Sequence, residues 1–401
     1  MRILYYDWHS NSTADICQGF EALGFSYDIW HHELSNYEHD EIFQRDLCNR
    51  LKSNVYDCIF SFDYIPLLSY VAMQCGILYY SWIYDCPQLT LFSDSVYNDC
   101  NRIFCFDRQQ CLYLADRGVK HVFHLPLAVN VNKFRNIHSL AQQASLSSLH
   151  LADEEFEDGF RHDVSFIGSL YNDNMYNRVG FLPQYLRGYL DGMIHSQFNV
   201  FGYDLIRELL SLDVVEALDK YILLDDSVDI KLPHDVVFHS MLYSRLAELE
   251  RKEVLFRCSK HAEVALYTGS QTDDSLRMNG NIKVMPPVDY DTGLPLLYRH
   301  SKINLNITCR SITSGMPLRV LDVMGSGGFL LSNYQPELAE FFVPGEELVL
   351  YDSMADLEDK VCYYLAHDEE RRRIALNGYR KVCEQFSYEK KLKEMFELGM
   401  R

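Results

Sequence analysis

The chain is short of positive charge. Its 401 residues include 37 Lys or Arg against 57 Asp or Glu, a formal net charge of −20. A nucleic-acid partner needs a broad basic surface, so this balance argues against one, and equally against an anionic membrane surface. A phosphate ligand stays open, because one or two arginines and a helix N-terminus can hold a diphosphate locally. No run of about 18 apolar residues occurs, so no membrane span is expected. The first residues, MRILYYDWHS, lack the charged-then-apolar form of a secretory signal, and a cytoplasmic location is expected. There are twelve cysteines but no C-x-x-C pair. The cluster Cys100, Cys105, Cys111 fits no zinc template and reads as buried thiols in a reducing compartment. A glycine loop is also missing after the first apolar run, where YDWHSNS stands, which argues against NAD.

What the chain does have is alternation. RILYYD (2–7), SYDIWHH, YDCIFSFD (56–63), ILYYSWIYD (77–85), RIFCFD (102–107) and VFHLPLA (122–128) read as strands, with helical segments such as 12–25 and 108–117 between them. Strand–helix alternation predicts a parallel, doubly wound sheet. Residues 135–162 are Ser/Gln-rich, then acidic, and read as an inter-domain connection. The alternation then restarts with strands at 163–169, 263–270, 281–288, 302–308 and 346–352, and with helices at 293–301, 353–366, 368–385 and 387–400. The expected fold class is therefore α/β, with two Rossmann-like domains at 1–134 and 163–385, a cleft between them, and a last helix in 386–401 packing back on the first domain.

Candidate site residues follow from strand ends and helix starts. In SGMPLRVLDVMGSGGFLLSN (314–333), Pro317 suits a first helical position, and the freed N–H groups face a loop carrying Arg310. This is a ready anion site. Arg319 and Asp322 lie on one face of the helix. Asp322 either accepts ribose hydroxyls or simply pairs with Arg319. Gly327 should end the helix. In FIGSLYNDNMYNR, a strand ending at Gly168-Ser169 lets backbone approach a ligand, or is an ordinary turn. Asp85, ending SWIYD, faces the cleft and could position a sugar or take a proton; otherwise it caps a turn. Asp107 and Arg108 end another first-domain strand. His9 lines the acceptor side or is structural. His31-His32 has no ligand spacing, and no metal site is expected. Asp289-Tyr290-Asp291 has the form of an Asp-x-Asp metal motif but stands before a helix, where capping fits better.

The runs LPLLYRHSKINLNIT, GMPLRVLDVMGSGGFLLSNYQPELAEFF and PGEELVLYDSMADLEDKVCYYLAHDEERRRIALNGYRKV resemble the C-terminal domain of GT-B glycosyltransferases of group 1 type. More narrowly they resemble the CgeB-like, spore-maturation-associated branch, whose DUF3880-type first half is similar to YYSWIYDCPQ, FCFDRQQ and LPLAVNVNKF here. The resemblance implies a GT-B fold and a metal-independent hexosyltransferase, without a separate cofactor, acting on a nucleotide diphosphate sugar, UDP-linked. It also implies retention of configuration and a glycan, protein or small molecule as acceptor. The donor sits in the second domain and the acceptor in the first. The resemblance gives Asp322 the donor ribose, and gives Gly168, Ser169 and Arg178 the diphosphate. Val288, Tyr290 and Gly269 fall to the base, and Asp85 lies beside the reacting sugar. Relatives carry a glutamate where this chain has Ser314, so that role passes to backbone N–H groups of Ser314, Gly315 and Met316. The alternatives are a nucleotide-sugar epimerase or hydrolase on the same fold, or a catalytically degenerate GT-B partner.

Overall fold

A computed structural model describes residues 1–131, 160–224 and 230–400. Most of the expected connection, 135–159, lies outside the described residues. The first sheet is built from β1 (Arg2–Tyr6), β2 (Ser26–Trp30), β3 (Cys58–Phe62), β4 (Leu78–Ile83), β5 (Asn101–Cys105) and β6 (Val122–His124). All neighbours are parallel, in the order β2-β1-β3-β4-β5-β6. The second comprises β7 (His162–Ile167), β8 (Val264–Tyr267), β9 (Ile282–Met285), β10 (Ser301–Asn306), β11 (Leu330–Asn333) and β12 (Val349–Tyr351). It is also parallel, in the order β12-β11-β10-β7-β8-β9.

Both sheets carry helices on their faces, and every residue of the central strand β3 is buried. β6 and β12 are shorter than the runs 122–128 and 346–352 suggest, and both are edge strands with a partner on one side only. Strand order reverses between β1 and β3 in the first sheet and between β7 and β10 in the second, so the ligand crevices lie at the carboxyl ends of those strands.

Between β7 and β8 the chain inserts helices Gln184–Phe198, Leu205–Leu209, Leu212–Asp219 and His234–Ser259. They have a core of their own, including Leu186, Leu190, Phe238 and Leu246. The last helix, Tyr388–Gly399, lies on the first domain, with Phe396 5.0 Å from the Tyr80 ring and 5.3 Å from Phe25. Gly19 makes that contact possible, since a Cβ there would come within 2.7 Å of Leu392. One apolar cluster therefore runs from Tyr5 and Trp82 through Leu392 to Met316 and Val320, joining the two domains. All twelve cysteines are free thiols, and no described helix is long and apolar enough to cross a membrane.

Candidate functional site

The crevice of the second domain opens at Gly168, just past the end of β7. Gly168 has φ +153°, and a Cβ there would come within 2.9 Å of Arg319 Nη2. The missing side chain is what lets the guanidinium approach the strand end. Arg319 stands in the first turn of the helix Leu318–Gly325, with Nη1 3.4 Å from Asn306 Oδ1 at the end of β10. Pro317 caps this helix rather than opening it, and Gly327, at φ +76°, closes it.

A second guanidinium stands with it. Arg251, from the middle of the helix His234–Ser259, is buried and stacks 4.7 Å over Tyr171 and 5.3 Å over Phe166, the ring that Arg319 approaches at 5.6 Å. Arg251 donates to the carbonyls of Ser169 and Ile307, while its buried Nε has no partner. Burial, then the charge of Arg319, pushes the Arg251 pKa below its usual value. Neither arginine forms an ion pair among the described residues. Two guanidinium groups without a carboxylate, converging on a strand end, form a site whose field favours an anion.

Asp322 is buried one turn behind Arg319. The Tyr290 hydroxyl donates to its two oxygens at 3.3 and 3.4 Å. Burial, then Asp322, drives the Tyr290 pKa far up, keeping the phenol protonated as that donor. Asp85, just past the carboxyl end of β4 in the first domain, acts electrostatically on Tyr171, the ring over which Arg251 stacks. Tyr171, raised by burial, has Cys309, Arg251, Arg319 and Asp85 within electrostatic reach. Burial also raises Asp85. Its turn is held by Asp63, whose Oδ1 accepts from the N–H groups of Tyr84 at 2.8 Å and Asp85 at 3.3 Å. Burial lifts Asp63 to about 6.

Other candidates sit differently. Arg310 does not face the loop mouth. It is buried, its Nε and Nη2 bind Glu250 at 2.7–3.1 Å, and its remaining donors go to the carbonyls of Gln197, Phe198 and Val200. It is a strut between the inserted helices and the second sheet, with no donor left for a phosphate. Arg178 is exposed and paired with Asp173 at 2.6 Å. The N–H groups of Ser314 and Gly315 point at 3.3 Å to Asp107 of the first domain, so they are not free for sugar hydroxyls; Met316 is fully buried. Ser314 Oγ bridges Asp107 Oδ1 at 3.0 Å and Glu337 at 2.8 Å. His124 binds Glu337 at 2.8 Å, and Arg108 pairs with Glu340 at 2.7 Å. Ser169 and Ser270 meet by their hydroxyls at 3.3 Å, beside the exposed Gly269. Val288 and Tyr290 line a cleft of about 770 Å³ whose opposite wall includes Ser10, Asn11 and Tyr27 of the first domain. His9 is exposed at the end of β1, stacked on His31. Sequence reasoning missed Arg251 and Asp63.

Residues 246–397, which include Arg251, Arg319 and Asp322, match the model of the glycosyl transferase-like family. No curated protein matches the chain by sequence. Among solved structures, a sucrose-phosphate synthase from Thermosynechococcus elongatus shares 11% identity at a TM-score of 0.54, covering 99% of this chain and 98% of that one. HepE from Anabaena, solved with UDP and glucose, shares 10% identity at a TM-score of 0.52, covering 99% and 98%. A glycosyltransferase from Rickettsia africae shares 13% identity at 0.53, covering 99% and 97%. The whole chain thus has the two-domain fold of the GT-B glycosyltransferases, and its second domain carries the glycosyl transferase-like family match.

Proposed function

We propose that this protein is a glycosyltransferase that moves a sugar from a nucleotide diphosphate donor, UDP-linked, to an acceptor held by the first domain. The observation that carries the reading is the pair Arg251 and Arg319 at Gly168, two guanidinium groups with no ion pair among the described residues, with Asp322 one turn along the same helix as Arg319. A diphosphate supplies the missing charge, and Asp322 is placed to accept from ribose hydroxyls once Tyr290 yields. The UDP assignment draws on HepE, a protein of the same fold that was solved with UDP.

The chemistry is mostly positioning and charge. As the glycosidic bond to the diphosphate breaks, charge grows on the leaving oxygen, and Arg319 and Arg251 stabilise it without a metal at that point. Asp85, with its carboxyl raised by burial, lies across the cleft and serves either to orient the sugar or to take the acceptor's proton. Retention, hexosyl transfer, membership of the CgeB-like branch, a cytoplasmic location and a glycan acceptor belong to the same proposal.

Calorimetry with UDP and uridine tests it. UDP should bind more tightly than uridine, and Arg319→Ala should remove most of that difference. Equal binding of the two by the wild-type chain would sink the phosphate assignment. Incubation with UDP-sugar alone separates the rivals: rapid release of free sugar or formation of an epimer without acceptor would replace transfer by hydrolysis or epimerisation.

A further inference from the structure

The geometry points to a divalent transition-metal site, suited to zinc, formed by Asp7, His9 and His31 at the carboxyl end of the first sheet. It does not depend on the reading above. The three residues are brought together by strand register: Tyr6 pairs with Trp30, and Asp7 N–H donates to the Trp30 carbonyl at 3.0 Å, so Asp7 and His31 leave their strands side by side. The chain then turns through His9 at φ +73°, a left-handed conformation that histidine adopts more readily than most residues. The turn lays the His9 ring parallel to His31, 5.2 Å away and 9° from coplanar.

Asp7 is buried and its carboxylate is fixed. Oδ1 accepts from the N–H groups of His9 and Ser10 at 3.0 Å each, which leaves Oδ2 turned to His31 Nδ1 at 3.6 Å. Ligating carboxylates are held in this way, by hydrogen bonds from outside the metal sphere. One donor atom from each of the three side chains lies within 4.8 Å of the other two. Around an ion with bonds of about 2.0–2.2 Å, ligand atoms stand roughly 3–4 Å apart, so a small turn of either ring closes the set. The His31 ring, 51% exposed, is free to make that turn and to offer either nitrogen. The ring's present contact from Nδ1, 3.1 Å to the Asp7 carbonyl, is one such orientation.

Two imidazoles and one carboxylate suit zinc and its neighbours, and do not suit magnesium or calcium, which favour oxygen ligands. Three protein ligands leave the fourth tetrahedral position open, as in catalytic rather than structural zinc sites. That position faces solvent at the reversal point between β1 and β3, next to Ser10 and Asn11 on the wall of the inter-domain cleft. Water or an oxygen of a molecule in the cleft fills it.

The test is calorimetric titration of the full chain, stripped with chelator, with zinc chloride and in parallel with magnesium chloride. The wild-type chain should take one equivalent of zinc tightly and magnesium far more weakly. His9→Ala and His31→Ala should each lower zinc affinity at least about tenfold. Both rings are exposed, so the variants should keep the metal-free melting temperature of the wild type, and zinc should raise that temperature only in the wild type. Zinc binding of unchanged affinity in both variants would assign the metal to other cysteines and histidines and overturn the inference. So would magnesium binding as tightly as zinc, or no tight zinc equivalent in the wild-type chain.

Discussion

Arg310 and Arg319 stand on the same loop and helix start, yet their surroundings are opposite. Arg310 is enclosed, its charge met by Glu250 and its other donors spent on three carbonyls at and just past the end of the helix Gln184–Phe198. Arg319 and its neighbour Arg251 form no ion pair among the described residues, and they repel each other. A buried charge that is fully paired holds structure; a pair of charges left uncompensated stores repulsion that an anion relieves. Partner inventory, rather than residue type or position near a helix start, separates the structural arginine from the two proposed to hold the diphosphate.

The largest expected effect breaks the enclosed member. Arg310→Ala leaves Glu250 buried without its partner and should cost about 3–5 kcal/mol in denaturant unfolding. If the folded fraction of that variant lost UDP affinity as strongly as Arg319→Ala does, the division between strut and ligand would fail. Next comes a buried carboxylate without a cationic partner among the described residues. Burial raises Asp63 to about 6, so the folded state binds its proton more readily than the unfolded chain. Stability should then fall as pH rises from about 4 to about 6, and the cost, up to about 3 kcal/mol, is complete above that window. Asp63→Asn should flatten this slope and stabilise the protein at pH 7; an unchanged pH profile would show that Asp63 titrates normally.

On the uncompensated side, Arg319→Ala should leave unfolding nearly unchanged and weaken UDP by about 1.5–3 kcal/mol, with uridine affected far less. Asp322→Ala should cost UDP and uridine alike, by about 1 kcal/mol, since ribose is common to both. Unaltered affinity for both ligands would remove Asp322 from the site. The smallest effect belongs to Arg108→Ala. Its pair with Glu340 is well exposed, and melting should shift by no more than about 1 kcal/mol in stability.

The two-sheet architecture was legible because strands such as β1 and β3 are apolar runs separated by helical segments; Gly327 ends its helix where the pattern says it should. Asp322 and Arg319 were visible for the same local reason, one helix face read at its own period. Arg251 was not. It lies inside a helix of 26 residues among ELERKEVLFR, where charges fall on every face, and its burial depends on Phe166 and Tyr171, distant in sequence. Arg310 misled for the complementary reason. Its loop, TCRSITSG, is polar and open as text, and only packing reveals Glu250 behind it. His9 and His31 required the β1–β2 register, which periodicity does not supply.

Asp107 has a consequence for motion. Its Oδ1 accepts from Gln109 and Gln110 N–H and so caps the first-domain helix Arg108–Asp116, while its Oδ2 accepts from Ser314 and Gly315 N–H in the second domain. The packing there is tight, since a Cβ on Gly315 would come within 2.8 Å of Asp107. One carboxylate is thus a shared hinge pin. Any swing that parts the domains at this point draws the second pair of N–H groups away from the first helix's own cap, and water has to enter where Gly315 now touches the strand end. The cleft therefore opens most cheaply by rotation about Asp107, not by separation across it.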